Sequence, residues 1–460
     1  MSAIQPALVI AIYLLIMLAV SAWGPRRRGI DDFHLAGRRL QFILLTATFC
    51  ATIVGASSTL GMAGLGFSKG LPGAWWMLSG TLGMLVLSLF LAERIRASGC
   101  YTLPELVGSF YGEHARLAAS LLIAISWVGV IAVQILAAGR VLSAVFGGSG
   151  EGFMIACTAV FVLYTAHGGQ SSVVRTDLVQ LFIIITGMAI LFARGCSSAG
   201  PALLLAQSFP TSAEMGGWDV ISMVLVVGSA YLVGPDMYSR ILSARSPGQA
   251  RASAFLSAIL LVPLAFLVTS LGVFSRSLYP SAQPEQAVLM LLGDLSPIIV
   301  GMVAAALLAA FMSSADTSLM TVTSILTLDI YRKARPLAGP ERLLAVSRAA
   351  VLVTGLFALI LAILMPGIIK TLLSAYTVFT GGLLVPVVAG FYRERLALTS
   401  GGALSAMLGG GGVALLFGQR YPLLAMCVSM VLLLSVSFLQ KRILAARLKR
   451  ESDGVFTTEH

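Results

Sequence analysis

The sequence predicts an all-α membrane protein of about 13 transmembrane helices, and three observations carry that prediction. Hydrophobic residues make up 58% of the 460 and charged residues only 11%, against about 25% charged in a soluble domain. With a mean hydropathy of +0.95, this composition excludes a water-soluble enzyme. The apolar runs are long and nearly continuous, as over 117–138, and lack the short alternating pattern of an outer-membrane barrel. Finally, the 30 basic residues divide unequally between the two sides of the alternating runs, and in helical membrane proteins that bias marks the cytoplasm.

Taken in order, the runs fall near 6–23, 41–66, 72–92, 117–145, 151–166, 177–195, 217–239, 252–274, 297–328, 345–366, 371–391, 397–417 and 422–440. The first is preceded by no Lys or Arg and followed by Arg26, Arg27 and Arg28, so it reads as a retained span with its N-terminus outside rather than a cleaved signal. Alternating from there, 24 basic residues fall on the cytoplasmic side, and Lys69, Arg140, Arg194, Arg276, Lys370 and Arg420 fall opposite. The tail from Lys441 to His460 is then cytoplasmic, and the net charge of +11 reflects topology in a lipid bilayer, with no nucleic-acid partner implied. The cysteines Cys50, Cys100, Cys157, Cys196 and Cys427 are scattered and suggest neither disulfides nor a metal knuckle. No His and carboxylate constellation supports a membrane hydrolase.

Two spans are interrupted in matching fashion, at Ile53-Val54-Gly55-Ala56-Ser57-Ser58 in the second and Val226-Val227-Gly228-Ser229-Ala230 in the seventh. They stand five spans apart and cross in opposite directions, which predicts a five-plus-five inverted repeat with helices 2 and 7 broken. Gly-interrupted helices at corresponding positions point to a midplane binding site, because unwinding frees backbone carbonyls and amides. The organisation expected is an extra helix and cytoplasmic loop over 1–40, repeats over 41–195 and 217–391, two extra helices over 392–440 and a tail over 441–460. In the ninth span Ala310, Ser313, Ser314 and Thr317 share one helical face. Such a hydroxyl stripe, with carbonyls from a broken helix, can supply the oxygens a dehydrated hard cation needs. Of the acidic residues Asp316 lies deep in a span, whereas Asp177 and Asp236 fall near span ends, and Gly234-Pro235-Asp236 marks a further break where Asp236 reads as a gate or a structural cap; an intramembrane carboxylate is a functional candidate.

The chain resembles the sodium/solute symporter family, which has the leucine-transporter fold. The resemblance covers nearly the whole sequence and rests on Asp32-Phe33-His34-Leu35-Ala36-Gly37-Arg38, Gly61-Met62 to Gly70-Leu71, Tyr101-Thr102-Leu103-Pro104-Glu105, and Gly168-Gly169 leading to Thr176-Asp177. It continues through Tyr238-Ser239-Arg240-Ile241-Leu242-Ser243-Ala244, Phe311-Met312-Ser313-Ser314-Ala315-Asp316-Thr317 and Asp329-Ile330-Tyr331. It implies a sodium ion held by the backbone carbonyls of Ala51, Val54 and Ala310 and the hydroxyls of Ser313 and Ser314. A second cation position is implied at Asp177, Asp316 and Thr317. The solute lining implied is Ser57, Ser58 and Thr59, Trp75, Tyr231, Gly234 and Tyr238, and Tyr376.

The function expected is sodium-coupled import of a small organic solute by alternating access across the cell's inner membrane. Ser57-Ser58 and Trp75 stand where sugar-transporting members carry other polar groups, which disfavours a sugar. A small carboxylate or an amino acid is expected instead, since half-helix N-termini favour an anionic group. The competing readings are proton coupling through Asp316 and Asp177, a channel, and a membrane sensor that binds a solute without transporting it. The sequence leaves the solute, the sodium stoichiometry and the oligomeric state undetermined.

Overall fold

The computed structural model describes residues 4–22, 29–293, 295–364, 367–418 and 421–455. Arg26, Arg27, Arg28, Arg420 and the end of the tail through His460 lie outside the described residues, among which there is no β-strand. Helix α1 (Ile4–Ala22) leads to the short α2 (Ile30–Leu35). The second span is a pair, α3 (Phe42–Ile53) and α4 (Ser57–Lys69), bent by 64°. There follow α5 (Leu71–Ala97), α6 (Leu103–Tyr111) and α7 (Glu113–Phe146). Residues Gly150–Ala199 are helical except at Gly169, whose φ of +57° and ψ of −164° divide them into α8 (150–168) and α9 (170–199).

The seventh span consists of α10 (217–232) and α11 (Pro235–Ser243). The remainder are α12 (Pro247–Leu278), α13 (Pro297–Ala334), α14 (Pro340–Leu364), α15 (Ile368–Gly390), α16 (Ser400–Phe417) and α17 (Pro422–Val455). Eleven helices among the described residues are long and apolar enough to cross a membrane, and the bent α3–α4 pair makes 12. The stretch Gly150–Leu163 is a shorter apolar helix, so each of the 13 apolar runs falls on a helix or a broken helix.

Side-chain contacts give the directions around Gly169. Along α9, Val173 packs with Met320 and Gly187 faces Ala306, so α9 runs against α13. Helix α7 runs against α13, since Arg116 pairs with Asp329 and Gln134 meets Ser314 at Gly55; along α8, Gly150 lies beside Gly139 of α7 and Thr165 reaches Asp316, so α8 runs with α13. The chain therefore reverses at Gly168-Gly169. Gly169 suits the turn because its positive φ strains any residue with a Cβ, and a Cβ there would come within 2.7 Å of the Phe33 ring.

Helix α13 is the hub. Every residue from Val303 to Ser324 is buried, against α1, α7 and α9 among others. Small residues such as Ala304, Ala305, Ala306, Ala309 and Ala310 let these helices approach. Apolar side chains on the outer helices face outward, Phe182 and Phe438 among them, as expected of a lipid-facing surface.

Of the two interruptions expected in the seventh span, the one at Gly228 is absent and the one at Gly234-Pro235 is present. Residues Val224–Gly228 form a π turn inside a continuing helix, and Gly228 lets α5 pack against it near Ser79 and Gly83. The break falls at Val233-Gly234, where Gly234 has ψ of +123°. Its cause is Pro235, which lacks an N–H and pushes the residue before it out of helical geometry.

Candidate functional site

At the end of α3 the backbone leaves the helix at Val54, with φ of −84° and ψ of +80°. Helix ends leave carbonyls without intrahelical partners, and here α13 supplies them. Ser313 Oγ donates to the Ala51 carbonyl at 2.8 Å and to the Ala310 carbonyl at 3.1 Å. Ser314 Oγ donates to the Thr52 carbonyl at 2.8 Å and abuts Gly55, where no Cβ would fit. On the other side of the break, the Ala56 N–H donates to Gln134 Oε1 at 2.8 Å. Ala51, Ala310 and Ser313 thus converge, with Ser314 one residue along and Val54 at the break itself. The set consists of neutral oxygens only, which fits a hard monovalent cation passing as cargo. No group of three or more His, Cys, Asp or Glu that could hold a metal ion exists among the described residues.

A small cavity adjoins these oxygens. It has about 30 Å³ of free space, room for roughly one water, so a solute requires the lining to part. Ser57, Tyr231 and Tyr376 line it, together with Ser314. Other expected lining residues point elsewhere. Ser58 Oγ donates to the Ile53 carbonyl and Thr59 Oγ1 to the Gly55 carbonyl, both at 2.8 Å, so each hydroxyl secures the break. Gly234 forms the break in the seventh span, and Tyr238 is buried outside the lining. Trp75 lies away from the cavity: its Nε1–H donates to the Pro210 carbonyl at 2.9 Å and its ring stacks on Phe209. Trp127 and Gln134 line the cavity without having been read from the sequence, and so does Asp236, which the sequence marks only as a carboxylate near a span end. The reading of Asp236 as a span-end residue is corrected, because the helix continues through Ser243 beyond an internal break.

Beyond Ser313 and Ser314 lies a polar cluster. Arg240 Nη2 donates to Thr317 Oγ1, to Thr52 Oγ1 at 3.1 Å, and to Asp177 Oδ2 at 3.3 Å. Thr48 Oγ1 also donates to Asp177 Oδ2. Asp316 Oδ1 accepts from Thr165 Oγ1 at 2.7 Å, while its Oδ2 is buried without a partner among the described residues. The expected second cation position therefore has a guanidinium between Asp177 and Thr317. With both side chains fully buried, the Asp177–Arg240 pair neutralises charges that could not stand alone there.

The family model for the sodium:solute symporter family matches residues 33–410. The chain belongs to the sodium:solute symporter family. It is 27% identical over 450 residues to a sodium/glucose cotransporter of Vibrio parahaemolyticus, covering 86% of this chain and 82% of that one. It is 26% identical over 430 residues to a sodium/pantothenate symporter of Escherichia coli K12, covering 87% of each. The solved structure of a Na+-coupled sialic acid symporter superposes with a TM-score of 0.77 at 17% identity, covering 95% of this chain and 98% of that one, and shows the shared fold. This member of the family is a multi-pass membrane transporter and not an enzyme, and sodium-coupled symport is its general activity.

Two residues missed from the sequence carried a signal. Gln134 is the one side-chain amide within the 117–145 apolar run, and Arg240 is the one cation inside the Tyr238 to Ala244 motif. Polar groups in such surroundings are costly unless used.

Proposed function

We propose that this symporter imports a small organic solute, a carboxylate or an amino acid, by alternating access across the cell's inner membrane. Sodium, moving down its gradient, binds at Ala51, Val54, Ala310, Ser313 and Ser314. The supporting observation is the convergence of Ser313 Oγ on the Ala51 and Ala310 carbonyls where α3 breaks. The repeats over 41–195 and 217–391 rock about this point, each contributing one broken helix to the cavity. The relatives do not transfer a solute, since two of similar identity are named for glucose and for pantothenate. Uptake of labelled solutes into proteoliposomes, with and without an inward sodium gradient, tests the reading. Accumulation that needs the gradient supports it, and uptake indifferent to sodium overturns it.

A second reading has protons taking part through Asp316, whose buried Oδ2 has no partner among the described residues. Asp177 also keeps a buried Oδ1 without a partner among the described residues, but its Oδ2 is paired with Arg240, so Asp316, which has no ion-pair partner among the described residues, is the carboxyl more open to a cation or a proton. Asp316→Asn is then expected to change the pH profile of uptake or its sodium Hill coefficient. If both stay the same, Asp316 serves only to hold α8 to α13 through Thr165.

A further inference from the structure

We infer that the solute carries a cationic amine or quaternary ammonium group, and that Asp236 with the aromatic rings around it is what recognises that group. This inference rests on the cavity being the solute site. Asp236 is the only ionisable acid or base, tyrosines aside, in the cavity lining. No Lys, Arg or His forms an ion pair with it among the described residues, and Arg240, one turn further along α11, is already held by Asp177, Thr52 and Thr317. An anionic solute would bring a second negative charge beside Asp236, and the lining residues themselves carry no positive charge to offset it; the sodium at Ser314 can balance one negative charge and not two. A cation balances the charge.

The expectation that half-helix N-termini favour an anionic group fails at α11 for a specific reason. Asp236 stands in the first turn of that helix and accepts from the Met237 N–H at 3.0 Å, so the positive helix end already has its carboxylate. Trp127, Tyr231 and Tyr376 supply three aromatic rings to the same cavity. Aromatic faces attract organic ammonium groups, whose charge is spread over a poorly hydrated surface. The oxygens at Ser313 and Ser314 meanwhile remain for sodium, so the two cations have separate partners. A carboxylate with no amine is thereby disfavoured, and of the two expected solute classes the amino acid survives.

The test uses the full chain in lipid nanodiscs, with binding measured in sodium and in potassium. Choline, glycine betaine and L-proline form the ammonium set, and 3,3-dimethylbutan-1-ol, 3,3-dimethylbutanoate and cyclopentanecarboxylate are their carbon isosteres. At least one ammonium probe should bind saturably, and its isostere at least about ten-fold more weakly, as a charge-assisted contact implies. Asp236→Asn retains an oxygen for the Met237 N–H, so the helix start is preserved. It should lose affinity for that probe by about ten-fold or more, while thermal stabilisation by sodium alone persists and reports an intact fold.

Three results would overturn the assignment: isosteres that bind as well as their ammonium partners, an Asn variant within about two-fold of the parent, or silence from both sets while sodium still stabilises the protein. A chain that binds an ammonium probe but ignores sodium would instead sink the sodium coupling and leave the recognition standing.

Discussion

A single hydroxyl at Ser313 reaches carbonyls on two helices, so its removal should be felt by the ion before the solute. Ser313→Ala deletes one oxygen of a dehydrated set, a loss of about 1–2 kcal/mol or roughly five- to thirty-fold in apparent sodium affinity. Solute affinity at saturating sodium should change far less. Sodium titration of uptake checks this, and an unchanged half-saturation would remove Ser313 from the ion site. A second residue effect lies outside the spans, at His34. This residue is buried, with Nδ1 2.8 Å from Ser324 Oγ and Nε2 3.1 Å from Ser347 Oγ. Burial, aided by the Arg332 charge, lowers its pKa to about 3. In the unfolded chain the ring takes up a proton below about pH 6.5. The folded state therefore keeps its full stability above that pH and loses stability as the pH falls from about 6.5 towards 3. The melting temperature should drop between about pH 7 and pH 5, and His34→Gln should shrink that drop. An equal drop in the variant would show that other groups set the acid sensitivity. At this scale the sequence was legible where periodicity acts, because spacings of three and four residues put Ser313, Ser314 and Thr317 on one face. It was not legible at Trp75, whose partners Phe209 and Pro210 lie over a hundred residues away and are brought near only by the fold. Nor did spacing reveal the Arg240 to Asp177 pair, which joins two spans.

Elements meet here through backbone contacts that only glycine permits. Gly272 on α12 packs directly on the Ala63 carbonyl of α4, and a Cβ would collide with it. Gly272→Ala must push α12 from α4, costing about 1–3 kcal/mol as overpacking does. Gly248→Ala lies in the first turn of the same helix, with nothing within 4 Å of its would-be Cβ. It should be neutral or stabilising by up to about 1 kcal/mol. Melting curves of the two variants give the comparison, and a Gly272→Ala variant as stable as Gly248→Ala would show that the α4–α12 contact yields freely. The helices themselves were readable as apolar runs, since lipid demands about 20 such residues per crossing. Breaks were harder. The α3–α4 break fell where the glycine suggested, but of the two breaks that the sequence offers in the seventh span, Gly228 is a packing glycine and Gly234-Pro235 is the break. A glycine permits either outcome, whereas a proline lacks the N–H that a continuing helix needs.

For the molecule as a whole, the open matter is parity, and α8 decides it. An odd number of crossings puts the termini on opposite sides; without α8 the number is even and they share a side. The 19 residues of 150–168 extend about 28 Å as a helix, close to the roughly 30 Å of hydrocarbon to be crossed. At the far end of α8 the reversal at Gly169 abuts Phe33, in the segment leading to Arg38. Arg38 and Arg332 both lie over the Tyr101 ring, and Arg96 donates to the Ala244 carbonyl at 2.6 Å. The reversal therefore sits at the end of the bundle where basic residues gather, which the positive-inside bias makes cytoplasmic. Gly150 starts α8 beside Gly139, some 20 residues up α7 from Arg116 and so towards the opposite face. We therefore propose thirteen crossings, with the N-terminus outside and the tail in the cytoplasm. A reporter active only in the cytoplasm should work when fused after His460 and stay silent when fused before Met1. A single cysteine introduced at Ser149, in an otherwise cysteine-free chain, should react with an impermeant thiol reagent added outside intact cells. Activity of both fusions together with a protected cysteine at 149 would mean that α8 lies within one face of the bundle, and the count would fall to 12.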